Sequence, residues 1–148
     1  MKIAISTDHG GFELKNFLIE WLQGKKYEII DLGNYIYDQN DDYPDFARVL
    51  AETISSGKAE KGIAICGSGV GACITANKFK GVRASVCHDT FTAHQGVEHD
   101  MMNVLCIGAR IVGVELAKEI VSVFINAEFL NEERFNRRLN KIIELEKQ

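Results

Sequence analysis

Short apolar runs alternate with amphipathic segments along the whole chain. Five of these runs have the length and composition of buried strands: Lys2–Ser6, Tyr27–Asp31, Gly62–Cys66, Arg83–Cys87 and Asn103–Ile107. Between them, apolar residues recur at intervals of three and four, which is the spacing of a helix with one buried face. Strands and helices that alternate in this way form a parallel sheet covered on both sides. The pattern therefore predicts an α/β fold, a three-layer sandwich around a five-stranded parallel sheet, but it does not predict the strand order.

Start and stop signals bound the helices between these strands. Pro44 suits the first turn of a helix, and Asp42 before it is a candidate cap. Gly24 and Gly57 follow the last apolar positions of two helices. The polar segment Leu32–Asp42 is predicted to be a loop. The apolar spacing predicts six helices: residues 14–22, residues 46–54, about Gly71 to about Lys80, Thr90–Val97, residues 113–124 and Glu132–Lys147.

Length and charge set limits on the kind of protein. The 148 residues fit a single domain spanning 1–148. The formal net charge of −4 argues against a broad basic surface for nucleic acid. No apolar run is long enough to span a bilayer, and the apolar part of the N-terminal MKIAIST is too short for a signal peptide. We therefore predict a cytoplasmic protein with neither a nucleic-acid partner nor a membrane partner.

The four cysteines do not have the spacing of a metal site. Cys66, Cys73, Cys87 and Cys106 form no CxxC pair, so a zinc site is not favoured. In a reducing compartment most thiols are small buried apolar groups. Cys73, Cys87 and Cys106 lie inside predicted elements or among apolar residues, and we predict that they belong to the core. Cys66 is different because it opens a glycine-rich loop.

The glycine-rich loop is CGSGVG, which directly follows the third predicted strand. A dinucleotide-binding loop has the spacing G-x-G-x-x-G, whereas here the third glycine comes one residue early, although Asp89 stands about where a ribose-binding acid is found. A P-loop ends in G-K-[ST], which this loop lacks. Glycines at 67, 69 and 71 still allow several backbone N–H groups to surround one anion beside a helix N-terminus. A tight turn without a ligand fits the spacing equally well.

The thiol at the mouth of this loop favours a catalytic role. A helix N-terminus stabilises the thiolate of a nearby cysteine, and a thiolate can act as a nucleophile or as a base. Proton abstraction next to a carbonyl needs a base together with donors for the oxygen that becomes negative. Cys66 and the loop amides match these two needs, while a bound phosphate is the other anion that the loop would suit.

Further polar residues stand at other strand ends, near the edge where parallel α/β sheets bind their ligands. Asp8 and His9 follow the first strand and suit contacts with a sugar or a phosphate, or else a helix cap beside a solvated histidine. His99 precedes the fifth strand and is either an acid–base group or a surface histidine, with Asp100 beside it. Arg110 follows the fifth strand and is the strongest single candidate for phosphate binding.

Three arginines of the last predicted helix share one face. Arg134, Arg137 and Arg138 occur in EERFNRRLNK, at spacings that bring them together on a helix. Such a face can bind a phosphate through forked guanidinium contacts. It can also be a solvated face whose arginines pair with Glu132 and Glu133.

Four longer motifs together resemble one family of enzymes. The motifs are STDHGGFELK, DYPDFA, GIAICGSGVGACITANKFKGVRA and EHDMMNVLCIGARIVGVELA. They resemble the ribose-5-phosphate isomerase B family, which also includes galactose-6-phosphate and allose-6-phosphate isomerases. The resemblance extends from Lys2 nearly to the C-terminus. It implies a Rossmann-like α/β/α fold and an aldose–ketose isomerase of the pentose phosphate pathway that works without a metal or another cofactor.

The resemblance also implies roles for individual residues. Cys66 matches the base that moves a proton between C1 and C2, Ser68 the hydroxyl that positions or shuttles the proton, and His99 the group that opens the furanose ring. Matches to substrate-binding positions are the backbone of Gly67, Gly69, Val70 and Gly71 and the side chains of Asp8, His9, Asp100, Arg110, Arg134 and Arg138. The family forms dimers, often paired into tetramers, with each site shared between two chains. The last helix is therefore expected to pack on a partner subunit.

Two blocks depart from the family pattern. The family commonly has His-Asn-Asp where this chain has His99-Asp100-Met101, and Gly-Gly-Arg-His where it has Glu132-Glu133-Arg134-Phe135. These changes leave the base intact and the identity of the sugar open. We predict a ribose 5-phosphate isomerase, and the alternatives are an isomerase of allose 6-phosphate or galactose 6-phosphate, a non-catalytic phosphosugar-binding module, and a thiol-based redox protein. Redox use needs a resolving cysteine, and Cys73 is two helical turns from Cys66.

Overall fold

The computed structural model describes residues 1–147, and within them five strands alternate with six α-helices. The strands are β1 (Lys2–Thr7), β2 (Glu28–Asp31), β3 (Lys61–Cys66), β4 (Ala84–Val86) and β5 (Val104–Gly108). The helices are α1 (Phe12–Gln23), α2 (Tyr43–Ser55), α3 (Val70–Ala76), α4 (Thr90–Asp100), α5 (Val114–Asn126) and α6 (Glu133–Leu145), and a 3₁₀ turn covers His9–Gly11. None of these helices is long and apolar enough to cross a membrane.

All five strands are parallel, in the order β2-β1-β3-β5-β4. This confirms the predicted fold class and supplies the order that the sequence did not predict. The strand β3 lies at the centre between β1 and β5, with Thr7 opposite Ile65 and Cys66 opposite Gly108. The carboxyl ends of these three strands therefore lie side by side, and the loops that follow them share one edge of the sheet.

The two faces of the sheet carry side chains of different size. Ile5, Ile65 and Ile107 point to the face covered by α1, α4 and α5, where they form one core cluster. Ala64 and Cys106 point to the opposite face, which packs against α2 and α3. Side chains alternate between the faces along each strand, so this difference follows directly from the sequence of the strands. The small side chains allow α2 and α3 to lie close to the sheet.

Several predicted bounds were wrong by a few residues. The helix α3 ends at Ala76 rather than near Lys80, because the side chain of Asn77 turns to the sheet edge and bonds both the N–H and the carbonyl of Ala84, each at 2.9 Å. The helix α4 runs on to Asp100, three residues beyond the predicted end. Asp42 occupies the cap position of α2, but its side chain makes no capping hydrogen bond.

The last helix packs on its own chain. Phe135 and Leu139 of α6 are buried, and α6 lies against α4. The arginines of α6 are exposed on its outer side. Packing of α6 on a partner subunit stays a prediction.

Phe124 of α5 is fully buried against the large-residue face of the sheet, whereas Phe91 at the start of α4 is 65% exposed. We expect Phe124→Ala to lower the free energy of unfolding by about 3–5 kcal/mol, since it removes a buried ring and leaves a cavity. The matched change Phe91→Ala should cost less than about 1 kcal/mol. Denaturant unfolding of both variants at one protein concentration measures the difference. Equal losses would contradict this account of the core.

Candidate active site

One edge of the sheet brings together the predicted residues that follow β1, β3 and β5. Asp8 and His9 follow β1, the loop from Cys66 to Gly71 follows β3, and Arg110 follows β5. The backbones of the last two segments are joined directly, because Ala109 N donates to the carbonyl of Cys66 at 2.9 Å and Arg110 N donates to that of Gly67 at 3.1 Å. The predicted residues that follow these three strands therefore lie at one edge of the sheet.

The Cys66 thiol is buried but engaged by the loop. Cys66 is only 5% exposed, and Gly69 N donates a hydrogen bond to its Sγ at 3.0 Å. Val70 N donates to the Ser68 hydroxyl at 3.3 Å. Within residues 1–147, the N–H groups of Gly67, Ser68 and Gly71 have no hydrogen-bond acceptor. The loop thus combines a thiol with amide donors that are free to bind an anion.

Two glycines make this arrangement possible. Gly69 has φ of +82°, a left-handed conformation, and a Cβ at this position would lie 3.1 Å from the backbone nitrogen of Gly108. A Cβ at Gly10 would lie 2.8 Å from the backbone nitrogen of Gly67. Any side chain at either position would push the loop away from its neighbours.

Arg110 lies directly over the loop. A Cβ built on Gly67 would stand 3.3 Å from Nη1 of Arg110, so the guanidinium is close to the loop backbone. Arg110 is also near enough to His9 to affect its charge equilibrium. The exposed guanidinium and His9 together form a cationic rim beside the Cys66 loop.

Asp8 both caps the turn that follows β1 and borders the site. Its Oδ1 accepts a hydrogen bond from Gly10 N at 2.9 Å, so Asp8 caps the 3₁₀ turn rather than α1 itself, whose cap position is Gly11. Burial raises the pKa of the Asp8 carboxyl, and the Gly10 hydrogen bond opposes that rise. Ligand atoms of Asp8, His9 and Asp41 lie within 4.8 Å of one another, a spacing that could hold a metal ion. Here those atoms are already engaged in hydrogen bonds within the chain.

Sequence reasoning missed three residues around this site. Asp41 bonds the imidazole of His9, Tyr43 covers Gly71 with its ring, and His88 Nε2 accepts a hydrogen bond from Gly108 N at 2.9 Å. Tyr43 stands in the DYPDFA motif, which was a usable signal. Asp41 lies in a long polar loop and gave no signal there.

The predicted ring-opening residue lies elsewhere in the chain. His99 occupies the last turn of α4, which runs from the carboxyl edge of the sheet back to the amino edge where β5 begins. A helix of 11 residues is about 16 Å long. A single chain therefore does not bring His99 and its neighbour Asp100 to the Cys66 loop.

The departure at Phe135 has a definite structural consequence. The Phe135 ring stacks on the His99 imidazole with centroids 4.1 Å apart and an interplanar angle of 20°. The guanidinium of Arg134 lies 4.4 Å from the Phe135 centroid. Gln95 Nε2 is 2.7 Å from Nδ1 of His99. Phe135 thus links the two departing blocks into one packed unit.

The arginines of α6 are likewise remote from Cys66 within one chain. Arg134 pairs with Glu132 at 2.9 Å and Arg137 with Glu133 at 3.2 Å, so the solvated-face interpretation describes the single chain correctly for these two. Arg138 is exposed on the same helix. Exposed pairs of this kind contribute little to stability.

Asp89 and Cys73, the residues that dinucleotide binding and redox chemistry would use, form hydrogen bonds elsewhere in the chain. Asp89, the candidate ribose-binding acid, caps α4: its Oδ1 accepts from Thr92 N at 2.7 Å, and that bond lowers the pKa of the carboxyl. Cys87 and Cys106 are buried as predicted, while Cys73 is only half-buried. Interaction with the neighbouring Cys106 thiol lowers the pKa of Cys73 to about 7. The Cys73 thiol donates a hydrogen bond to the carbonyl of Ala84 at 3.5 Å, whereas the Cys66 thiol accepts one from Gly69 N.

Comparison with known proteins identifies the relatives of this chain. A family model described as ribose/galactose isomerase matches residues 3–142. A D-erythrulose-4-phosphate isomerase of Pectobacterium atrosepticum is 43% identical over 87% of this chain and 85% of its own. Ribose-5-phosphate isomerase B of Clostridium thermocellum superimposes with a TM-score of 0.95 at 44% identity, covering 99% of this chain and 98% of its own. The Mycoplasma genitalium enzyme of the same name, with bound ribulose 5-phosphate, gives 0.94 at 42%, covering 99% and 97%.

The fold and these relatives define a class of protein, the sugar-phosphate isomerases built on a parallel α/β sandwich. Within that class, the chain belongs to the ribose/galactose isomerase family. The resemblance stated from the sequence motifs is thereby confirmed.

The loop geometry generates a test with a matched pair of glycines. Gly69 and Gly57 both have positive φ, +82° and +72°, but a Cβ at Gly57 would meet nothing within 4 Å. Both Gly→Ala changes should cost about 1 kcal/mol of stability through backbone strain, and Gly69→Ala should cost more because its Cβ also meets the backbone of β5. Only Gly69→Ala should displace the Cys66 loop, and we expect it to lower isomerase kcat/KM at least about tenfold. Equal activity of the two variants would contradict the close contact with β5.

Proposed function

We propose that this protein interconverts ribose 5-phosphate and ribulose 5-phosphate through an enediolate, with Cys66 as the base. The observation that carries the proposal is the Cys66 thiol, bonded by Gly69 N at 3.0 Å, next to amides that have no acceptor within residues 1–147. The relative with bound ribulose 5-phosphate supports this choice of substrate.

The reaction needs one proton to move between neighbouring carbons. The Cys66 thiolate removes the proton from C2 of the open-chain aldose, and the electron pair of that bond forms the C1–C2 double bond while O1 becomes negative. The N–H groups of Gly67, Ser68 and Gly71 stabilise this oxyanion. The thiol then returns the proton to C1, and the proton of the C2 hydroxyl passes to O1, which leaves the ketose. The Ser68 hydroxyl assists that second transfer.

The substrate phosphate binds at the cationic rim. Arg110 and His9 border the Cys66 loop in the same chain, and a phosphate dianion suits forked guanidinium contacts. Arg134 and Arg138 of a second chain complete this set, since in their own chain α6 packs on α4, where Phe135 stacks on His99.

The proposed site is shared between two copies of the chain. One copy supplies Cys66, and the partner copy supplies His99 and Asp100. Support comes from the length of α4 and from apolar side chains that are exposed near the loop: Tyr43, Val70, Ile74 and Ile111. A homodimer would cover these side chains, and such dimers can pair into tetramers. The proposed location is the cytoplasm, because a reducing compartment keeps a base thiol available, and all four cysteines are free.

The identity of the sugar is a separate question within the same chemistry. Relatives carry names for four- and five-carbon substrates, and the departures at Asp100, Met101 and Phe135 fall in the half of the site proposed to come from the partner. The test therefore uses four substrates in D₂O: ribose 5-phosphate, erythrulose 4-phosphate, allose 6-phosphate and galactose 6-phosphate. NMR detects ketose–aldose conversion and deuterium entry at C1 or C2. If folded protein exchanges deuterium into none of the four sugar phosphates, the isomerase proposal is wrong.

Removing the base tests its role directly. We expect Cys66→Ala to reduce kcat by about 10²–10⁴-fold while sugar-phosphate affinity changes little, since the amides and cations remain. Cys73→Ala, at the half-buried thiol of α3, is the matched control and should keep most of the activity. Turnover by NMR and binding by calorimetry separate the two effects. A fully active Cys66→Ala variant would show that another group is the base.

Mixing two inactive variants tests the shared site. Cys66→Ala and His99→Gln chains should each be inactive alone, but an equal mixture that exchanges subunits should recover about a quarter of wild-type activity, since half the dimers then contain one intact site.

The control mixture combines Cys66→Ala with Arg110→Ala, which alter the same half of the site. This pair should recover nothing. Recovery in neither mixture, with exchange verified by mass spectrometry, would mean that each site is built within one chain.

A further inference from the structure

We propose that Asp41 is a positioning residue that fixes the imidazole of His9 for contact with the substrate phosphate. The inference rests on the proposed function, in which His9 binds that phosphate. Neither the sequence motifs nor the family resemblance pointed to Asp41.

Asp41 is hydrogen-bonded to His9 through one carboxylate oxygen. Its Oδ1 accepts hydrogen bonds from the backbone N–H of His9 at 3.0 Å and from Nδ1 of the imidazole at 2.6 Å. The other oxygen, Oδ2, accepts from Nδ2 of Asn34 at 2.8 Å. The Asp41 side chain is 8% exposed and that of His9 is 29% exposed. The carboxylate is therefore held from three sides, and the imidazole remains accessible beyond it.

This contact determines which ring nitrogen faces a ligand. When Nδ1–H donates to Asp41, Nε2 is the nitrogen left for substrate, and in the imidazolium both nitrogens are donors. Within residues 1–147 no side chain or backbone group bonds Nε2. The ring of Tyr37 meets the imidazole edge-on, with centroids 6.4 Å apart. A donor of fixed direction at the rim suits a phosphate oxygen.

The same contact supplies the charge that a phosphate needs. The hydrogen bond that the His9 imidazole donates to Asp41 is the main reason that the pKa of His9 is raised, and the nearby charge of Asp8 acts in the same direction. Arg110 opposes this rise. Burial opposes ionisation of Asp41, but the bonds from His9 and Asn34 outweigh it and lower the pKa of the carboxyl. His9 and Asp41 therefore stay paired as ions to higher pH than an isolated histidine would allow.

The experiment is a pH titration of Asp41→Asn followed by both NMR and kinetics. The pKa of His9, read from its imidazole shifts, should fall. At a pH between the two His9 pKa values that NMR measures for variant and wild type, we expect KM for ribose 5-phosphate to rise about 3- to 10-fold with kcat within about twofold, because the neutral imidazole binds the dianion less well. Near pH 6, below the ordinary pKa of a histidine, the two KM values should converge to within about twofold. Asp38→Asn, an exposed carboxylate in the same loop, is the control and should change neither quantity.

A double-mutant cycle excludes a merely structural role. If Asp41 acts through His9, adding Asp41→Asn to His9→Gln should leave KM unchanged within about twofold. Asp41→Glu keeps the carboxylate and should lie closer to wild type than Asp41→Asn. A His9 pKa that does not move, or a KM change that is additive in the cycle, would overturn the inference.

Failure of the proposed function is distinguishable from failure of this inference. If the wild type converts no sugar phosphate, the isomerase proposal fails, and the His9 shifts still report ribose 5-phosphate binding. Weaker binding by Asp41→Asn at a pH between the two measured His9 pKa values would then support the positioning role, and unchanged binding would overturn it.

Discussion

Close contact between backbones at the carboxyl edge of the sheet is the constraint on which the site depends. The turn after β1 touches the Cys66 loop at Gly10, and the loop touches the end of β5 at Gly69. A single methyl group at either position would force the segments apart. Because these segments are adjacent, a thiol, several free amides and two cationic side chains come from different strands and still share one small region.

The size difference between the two sheet faces supports this edge. Small side chains face α2 and α3, which pack close to the sheet. The helix α3 begins at Val70, and the amide of Gly69 just before it donates to the Cys66 sulfur. Tyr43 at the start of α2 then reaches over Gly71. The opposite face carries the large residues and the main apolar core. The large apolar core thus lies on one face of the sheet, and the helices that approach the sheet closely lie on the other. Both features follow from the alternation of side chains along the same strands.

Sequence reasoning succeeded where information is local. Strand number, parallel direction, helix periodicity and the convergence of strand-end residues all depend on short patterns, and each was confirmed. It failed where a tertiary contact decides. The end of α3 depends on the side chain of Asn77, which pairs with the backbone of Ala84 at the start of β4. The role of Asp41 depends on a loop folding back onto His9, 32 residues earlier in the chain. No local pattern carries either contact.

The division of the proposed site between two chains gives the sequence departures a physical meaning. The groups proposed to handle the reacting carbons lie in one chain, at an edge where the close contacts at Gly10 and Gly69 tolerate little change. The groups proposed to meet the ring and the distant phosphate come from the partner, where Phe135 packs His99 and Arg134 into one unit. A substitution there alters the shape around the sugar without moving the thiol or its amides. One proton-transfer centre can therefore serve sugar phosphates of different length, and the residues that distinguish them need not touch the reacting carbons.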